Sequence, residues 1–106
     1  MATTEERVAA AQAAHPGKRV VAIETAGGLV VCVQPTRAQV ILYQSMLWQT
    51  DDAGRRATAY EELLRMCCVD PDHLQLKALI EEWPGIGFDA DVIETLKQLA
   101  GVTKKK

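Results

Sequence analysis

Positive charge in excess is the first thing this sequence lacks. Twelve Lys and Arg face fourteen Asp and Glu, for a formal net charge of -2, so the chain carries no field of the sign that draws proteins non-specifically to phosphate backbones. Nucleic acid is not expected as a partner. Long apolar runs are also missing. The stretch Leu29 to Val33 falls far short of the ~20 apolar residues a membrane-spanning helix needs, and the first residues lack the basic, apolar, small-residue order of a secretory signal. The expected setting is a cytoplasm, with no membrane partner. Cysteine is scarce and odd in number, three in all with two adjacent, which fits reduced, buried thiols better than a disulfide framework.

Residues suited to catalysis are equally sparse. His15 and His73 are the only histidines, and neither has a partner at metal-ligand spacing. Cys67 and Cys68 cannot mimic a Cys-x-x-Cys clamp, because adjacent residues on a helix diverge by about 100°. They read as core thiols, with Cys67 or Cys68 buried on the face of Tyr60 to Leu64. Ser45 is the sole serine and falls mid-helix, with no His and Asp arrangement suggested around it. Gly85 and Gly87 follow Trp83-Pro84 at a helix end rather than a strand, the wrong context for a phosphate loop. Glu61-Glu62 and Glu81-Glu82 read as solvated helix faces. The sequence gives no ground for an enzyme, a cofactor or a metal.

What is present is the composition of an ordinary globule, 48% hydrophobic and 25% charged over 106 residues, enough for one domain, 1–106, with a real core. Residues 3–14 read as a short helix, since Thr3 and Glu6 stand at capping-box spacing before an alanine-rich run. Alanine buries little surface, so this helix is expected to be loosely held. Residues 18–34 read as a β-hairpin: Val20, Val21, Ile23, Val30, Val31 and Val33 are β-branched, and Ala26-Gly27-Gly28 between them permits a tight reversal. From Pro35 the pattern turns helical. Thr36 with Gln39 opens a helix to about Gln49; after the turn Asp51 to Gly54 a second carries Ala57, Tyr60, Leu63, Leu64, Cys67 and Cys68 at helical spacing. Asp70 reads as the N-cap, and Pro71 as the first residue, of a third with the stripe Leu76, Leu79, Ile80 and Trp83. Asp89 caps a fourth, with Phe88 placed to pack on Ile93 and Gly101 at the C-terminal cap. The expected fold is α+β, an N-terminal β-hairpin packed against a helical body of about four helices, 36–101, plus the short N-terminal helix. Residues 102–106 read as a disordered, solvated basic tail.

The first of the four helices is apolar on two sides. At about 100° per residue, Val40, Tyr43 and Leu47 share one face with Trp48 and Ile41 on its shoulder, while Leu42 and Met46 lie roughly opposite. Burial on both sides within the monomer is the ordinary fate of such a helix. The alternative is an interaction face formed by Leu42 and Met46 and extended by Trp48, to which an adaptable methionine is suited.

The order of several segments carries a resemblance. Val31-Cys32-Val33-Gln34-Pro35-Thr36-Arg37 at the end of the hairpin is followed by a helix, by Ala59-Tyr60-Glu61-Glu62-Leu63-Leu64-Arg65-Met66-Cys67-Cys68-Val69, by Asp70-Pro71-Asp72, by Trp83-Pro84-Gly85-Ile86 and by Leu99-Ala100-Gly101. From about Pro16 to Gly101 this succession resembles the tail assembly chaperones of long-tailed bacteriophages. The resemblance implies a phage or prophage protein, made in the cytoplasm of the host bacterium and absent from the mature virion. Such a protein binds the tape measure protein, keeping it soluble until the tail tube polymerises around it. The tail tube protein is a further partner so implied, and self-association into an oligomer another. Leu42, Met46 and Trp48 are then the candidate partner-binding residues. The alternative class is a small structural phage protein, a connector or tail-completion component. The alanine-rich start and Lys104-Lys105-Lys106 have no counterpart in the resemblance and inherit nothing from it.

Overall fold

The computed structural model of the protein describes residues 2–49 and 51–102. Thr3 opens the first helix as its spacing predicts: its hydroxyl accepts from the Glu6 amide and the Glu6 carboxylate accepts from the Thr3 amide, a complete capping box over α1, Thr4–Ala14. The hairpin follows as β1, Val20–Thr25, and β2, Gly28–Val33, paired antiparallel from Val20 opposite Val33 to Thr25 opposite Gly28. At its turn Gly27 lies so close to two later side chains that a methyl group there would stand 2.7 Å from Leu79 Cδ1 and from Trp83 Cδ1. Gly28 has φ +117°, a conformation side chains avoid.

The helical body is α2, Arg37–Trp48; α3, Ala53–Cys67; α4, His73–Glu82; and α5, Ala90–Leu99. A 3-10 turn at Ile86–Phe88 links the last two. Thr36 and Gln39 form the second capping box, and Asp89 accepts from both Asp91 and Val92 amides. Gly101, at φ +78°, ends α5 with a Schellman pair, its amide donating to Gln98 O and that of Val102 to Lys97 O. Val102 is thus tied into the cap; the remainder of the expected basic tail, 103–106, lies outside the described residues.

The fold is α+β, with five helices and a three-stranded antiparallel sheet, and the sheet departs from the expectation. Cys68–Asp70 forms a third strand, β3, on the far side of β2, so the order is β1-β2-β3. Asp70 is therefore not the N-cap of α4. That role falls to Asp72, whose carboxylate accepts from the Gln75 amide. Asp52 likewise caps α3 through the Arg55 amide, so the helix begins at Ala53, inside the segment expected to be a turn.

As the central strand, β2 is buried on both faces. Val30 and Cys32 point with Ile23 into the main core, formed with Tyr43, Ala59, Leu63, Leu64, Cys67, Leu76, Ile80, Ile86, Val92, Leu96 and Leu99. Val31 and Val33 point the other way, against Ala11 and Val8 of α1. The alternation follows from the period of two along a strand. It stacks α1, the sheet and the helical body as three layers.

The alanine-rich α1 is held by more than its small apolar stripe. The Arg7 guanidinium grips both Asp70 oxygens, Nε to Oδ2 at 2.7 Å and Nη2 to Oδ1 at 3.0 Å, and Nη2 also donates to Leu29 O at 3.1 Å. This fork joins α1 to β2 and β3 at once. Both side chains are partly solvated, so Arg7→Ala is expected to cost only about 1–2 kcal/mol. The loss should be local: hydrogen exchange would accelerate across Thr4–Ala14 while the amides of β2 and α3 keep their protection.

Candidate partner-binding site

The geometry of α2 follows from one anchor. Tyr43 is the buried residue of this helix, its ring 6.2 Å from that of Tyr60 on α3. At about 100° per residue the side opposite Tyr43 carries Ala38, Ile41, Ser45 and Trp48, with Leu42 on its flank. Trp48 is 77% exposed, Leu42 55% and Ile41 47%. Ile41, Ser45 and Trp48 succeed one another at four and three residues, the spacing of a seam that another helix fills. The Ser45 hydroxyl donates back to Ile41 O at 2.9 Å and so presents little unmet polarity on this seam.

Leu42 and Trp48 thus stand free, as the interaction-face reading requires, whereas Met46 does not join them there. Met46 is partly buried against the main core, because it lies only about 60° around the helix from Tyr43. Its position is nonetheless adjacent to the face: with Gln49, Arg55 and Thr58 it lines a groove of about 340 Å³ between the end of α2 and the start of α3. Ile41, which sequence reasoning left on the shoulder of the buried stripe, belongs to the exposed face. The seven-residue step from Ile41 to Trp48 was the available signal. Leu74, on α4, and Trp83 and Phe88, beyond it, are also exposed.

Several of the residues screened for chemistry make structural contacts. Among the described residues no group of three or more His, Cys, Asp or Glu side chains is placed to hold a metal ion. Glu61 pairs with Arg65 at 2.8 Å, one turn along α3. Gly87 packs against the Glu61 backbone, where an added methyl would lie 3.3 Å from the Cα, so its lack of a side chain seats the 3-10 turn on α3. All three thiols are free, with Cys32 and Cys67 buried and Cys68 partly so. Among the described residues no helix is long and apolar enough to cross a membrane.

Burial beneath this site marks the pH range in which it holds. Burial first, then the neighbouring Tyr60, pushes the Tyr43 phenol from 10.0 up to about 12, with Arg56 opposing. Burial and then Cys68 push the Cys67 thiol from 9.0 up to about 12. Both groups hold their protons more tightly folded than unfolded, so their contribution is complete below pH ~9 and is lost as the unfolded chain ionises above it. Thermal melts should therefore show stability flat near neutrality and falling between pH 9 and 12. Tyr43→Phe should remove the part above pH 10, about 1–2 kcal/mol.

Compared with known protein families, curated proteins and solved structures, the chain matches none.

Proposed function

We propose that the chain is a tail assembly chaperone of a long-tailed phage or prophage, binding an apolar helical segment of the tape measure protein and keeping it soluble until the tail tube encloses it. The observation that carries this reading is the exposed face of α2. Ile41 and Trp48 on one side of the helix and Leu42 on its flank are large apolar residues left exposed among the described residues, beside a groove lined by a methionine. A lone exposed Leu is unremarkable, but three large apolar residues exposed on one helix, two of them aligned, suit a partner of the same character. Covering each such side chain gives about 1.5–3 kcal/mol, enough for a useful yet reversible grip. Reversibility is what an assembly factor needs, since it must leave when the tube polymerises. The resembling order of motifs from Pro16 to Gly101 supplies the identity of the partner; self-association of the free chain through the same face fits the same chemistry.

Mass analysis of purified particles beside the infected-cell lysate tests the proposal. A chaperone is abundant in the lysate and absent from the particle. Stoichiometric presence in the particle would assign the chain to the structural class, as a connector or tail-completion component.

A further inference from the structure

Cys32 and Cys68 are thirty-odd positions apart in sequence and directly opposite each other in the sheet. The register between β2 and β3 explains how. Val31 faces Asp70, but the pairing shifts at the next residue so that Cys32 faces Cys68 and Val69 is passed over. In an unshifted ladder Cys32 would face Val69 and the thiols would miss. The shift also turns the side chains: Cys68 packs with Cys32 on the main core, while Val69 packs with Val31 and Val33 on the other face. Cross-strand partners have Cα atoms about 4.5–5.5 Å apart, inside the window of about 4.4–6.8 Å that a disulfide spans. Cys68 Sγ donates to Pro71 O at 3.6 Å.

We propose that Cys32 and Cys68 are a site of reversible oxidation, closing into an intrachain disulfide that cross-links the central strand to the segment between α3 and α4. The site is independent of the role proposed for α2. Its co-substrate is a low-molecular-weight disulfide of the glutathione class. Cys32 is fully buried and Cys68 only partly so, which leaves Cys68 to meet the oxidant. The Cys68 thiol gives up its proton to solvent, and the thiolate attacks one sulfur of the oxidant, forming a mixed disulfide and expelling the other half as a thiolate. Cys32 then loses its proton, attacks Cys68 Sγ and expels the second half. Two protein thiols become one disulfide, and one oxidised glutathione becomes two reduced ones. The order of attack has electrostatic support: the neighbouring Cys32 thiol, then the Asp70 backbone and Arg7, lower the Cys68 pKa against desolvation and the Asp70 carboxylate, whereas Cys32 is raised. Cys67, adjacent to Cys68, ends α3 on the core side and faces neither strand partner. It stays a thiol.

The test treats reduced, folded protein with oxidised glutathione, alkylates the remaining thiols and maps peptides without reduction. The expected product is a monomer lighter by two hydrogens, with one alkylated cysteine, Cys67, and a Cys32–Cys68 cross-linked peptide. A dithiol reductant should restore all three thiols. Cys67→Ala should form the same cross-link; Cys68→Ala, altered at a partly buried position, should form none while keeping its dichroism. Three alkylated thiols after treatment, a glutathione adduct that persists on Cys68, a pairing through Cys67, or a cross-linked dimer as the main product would each overturn the assignment.

Discussion

Replacing Leu42 and Trp48 together by glutamate is expected to leave the far-UV dichroism and thermal midpoint of the protein unchanged while weakening its grip on a tape measure segment roughly a hundredfold or more. The two halves of this expectation have different physical sources. Both side chains already stand largely in water on α2, Trp48 opposite Tyr43 and Leu42 on the flank, and exposed substitutions of this kind usually move stability by no more than about 0.5 kcal/mol. In the complex the same positions would be covered. The variant then forfeits two apolar contacts, each worth about 1.5–3 kcal/mol, and must bring two carboxylates out of water as well. Calorimetric titration with a synthetic apolar helix from the tape measure protein, alongside a thermal melt, reads both. Binding unchanged in a folded variant would move the site off this face.

The largest loss of stability in this region should come from the opposite side of the same helix. Tyr43→Ala removes the buried anchor of α2 and its ring contact with Tyr60, a truncation expected to cost about 3–5 kcal/mol. Against a total of about 5–15 kcal/mol for a typical domain, that is enough to loosen α2 and with it the docking face. Tyr43→Phe should behave differently. The buried Tyr43 hydroxyl has no hydrogen-bond partner among the described residues, so its removal strands nothing there, and the variant should be at least as stable as the parent at neutral pH. Denaturant melts of the pair separate ring from hydroxyl: a large fall for alanine and none for phenylalanine.

These residues also show what the sequence could and could not announce. The capping boxes at Thr3 and Thr36 and the cap at Asp89 were legible because a helix start is a local matter, settled by donors and acceptors a few positions apart. The hairpin was legible for the same reason. β3 was not, because three residues carry no period and their pairing with β2 is decided by what α3 and the hairpin bring together. Asp70 is the telling case. With Asp70 and Asp72 flanking Pro71, two acids compete for one cap, and only the position of Arg7, far away in sequence, assigns Asp70 to the ion pair and Asp72 to α4. The docking face was half legible. Its apolar residues were evident, but which of them α3 would cover depended on the angle at which Tyr43 seats α2, which kept Leu42 and Trp48 outside and drew Met46 in.

The measurement that bears most directly on the central claim is co-expression of the tape measure protein with and without this chain, followed by separation of soluble from aggregated material. The account predicts that the tape measure protein aggregates when made alone, stays soluble when the wild-type chain is present, and elutes with it in a common complex. The variant carrying glutamate at positions 42 and 48, folded by dichroism, should fail to keep it soluble. A tape measure protein that aggregates equally with the wild-type chain and without it would contradict the chaperone assignment.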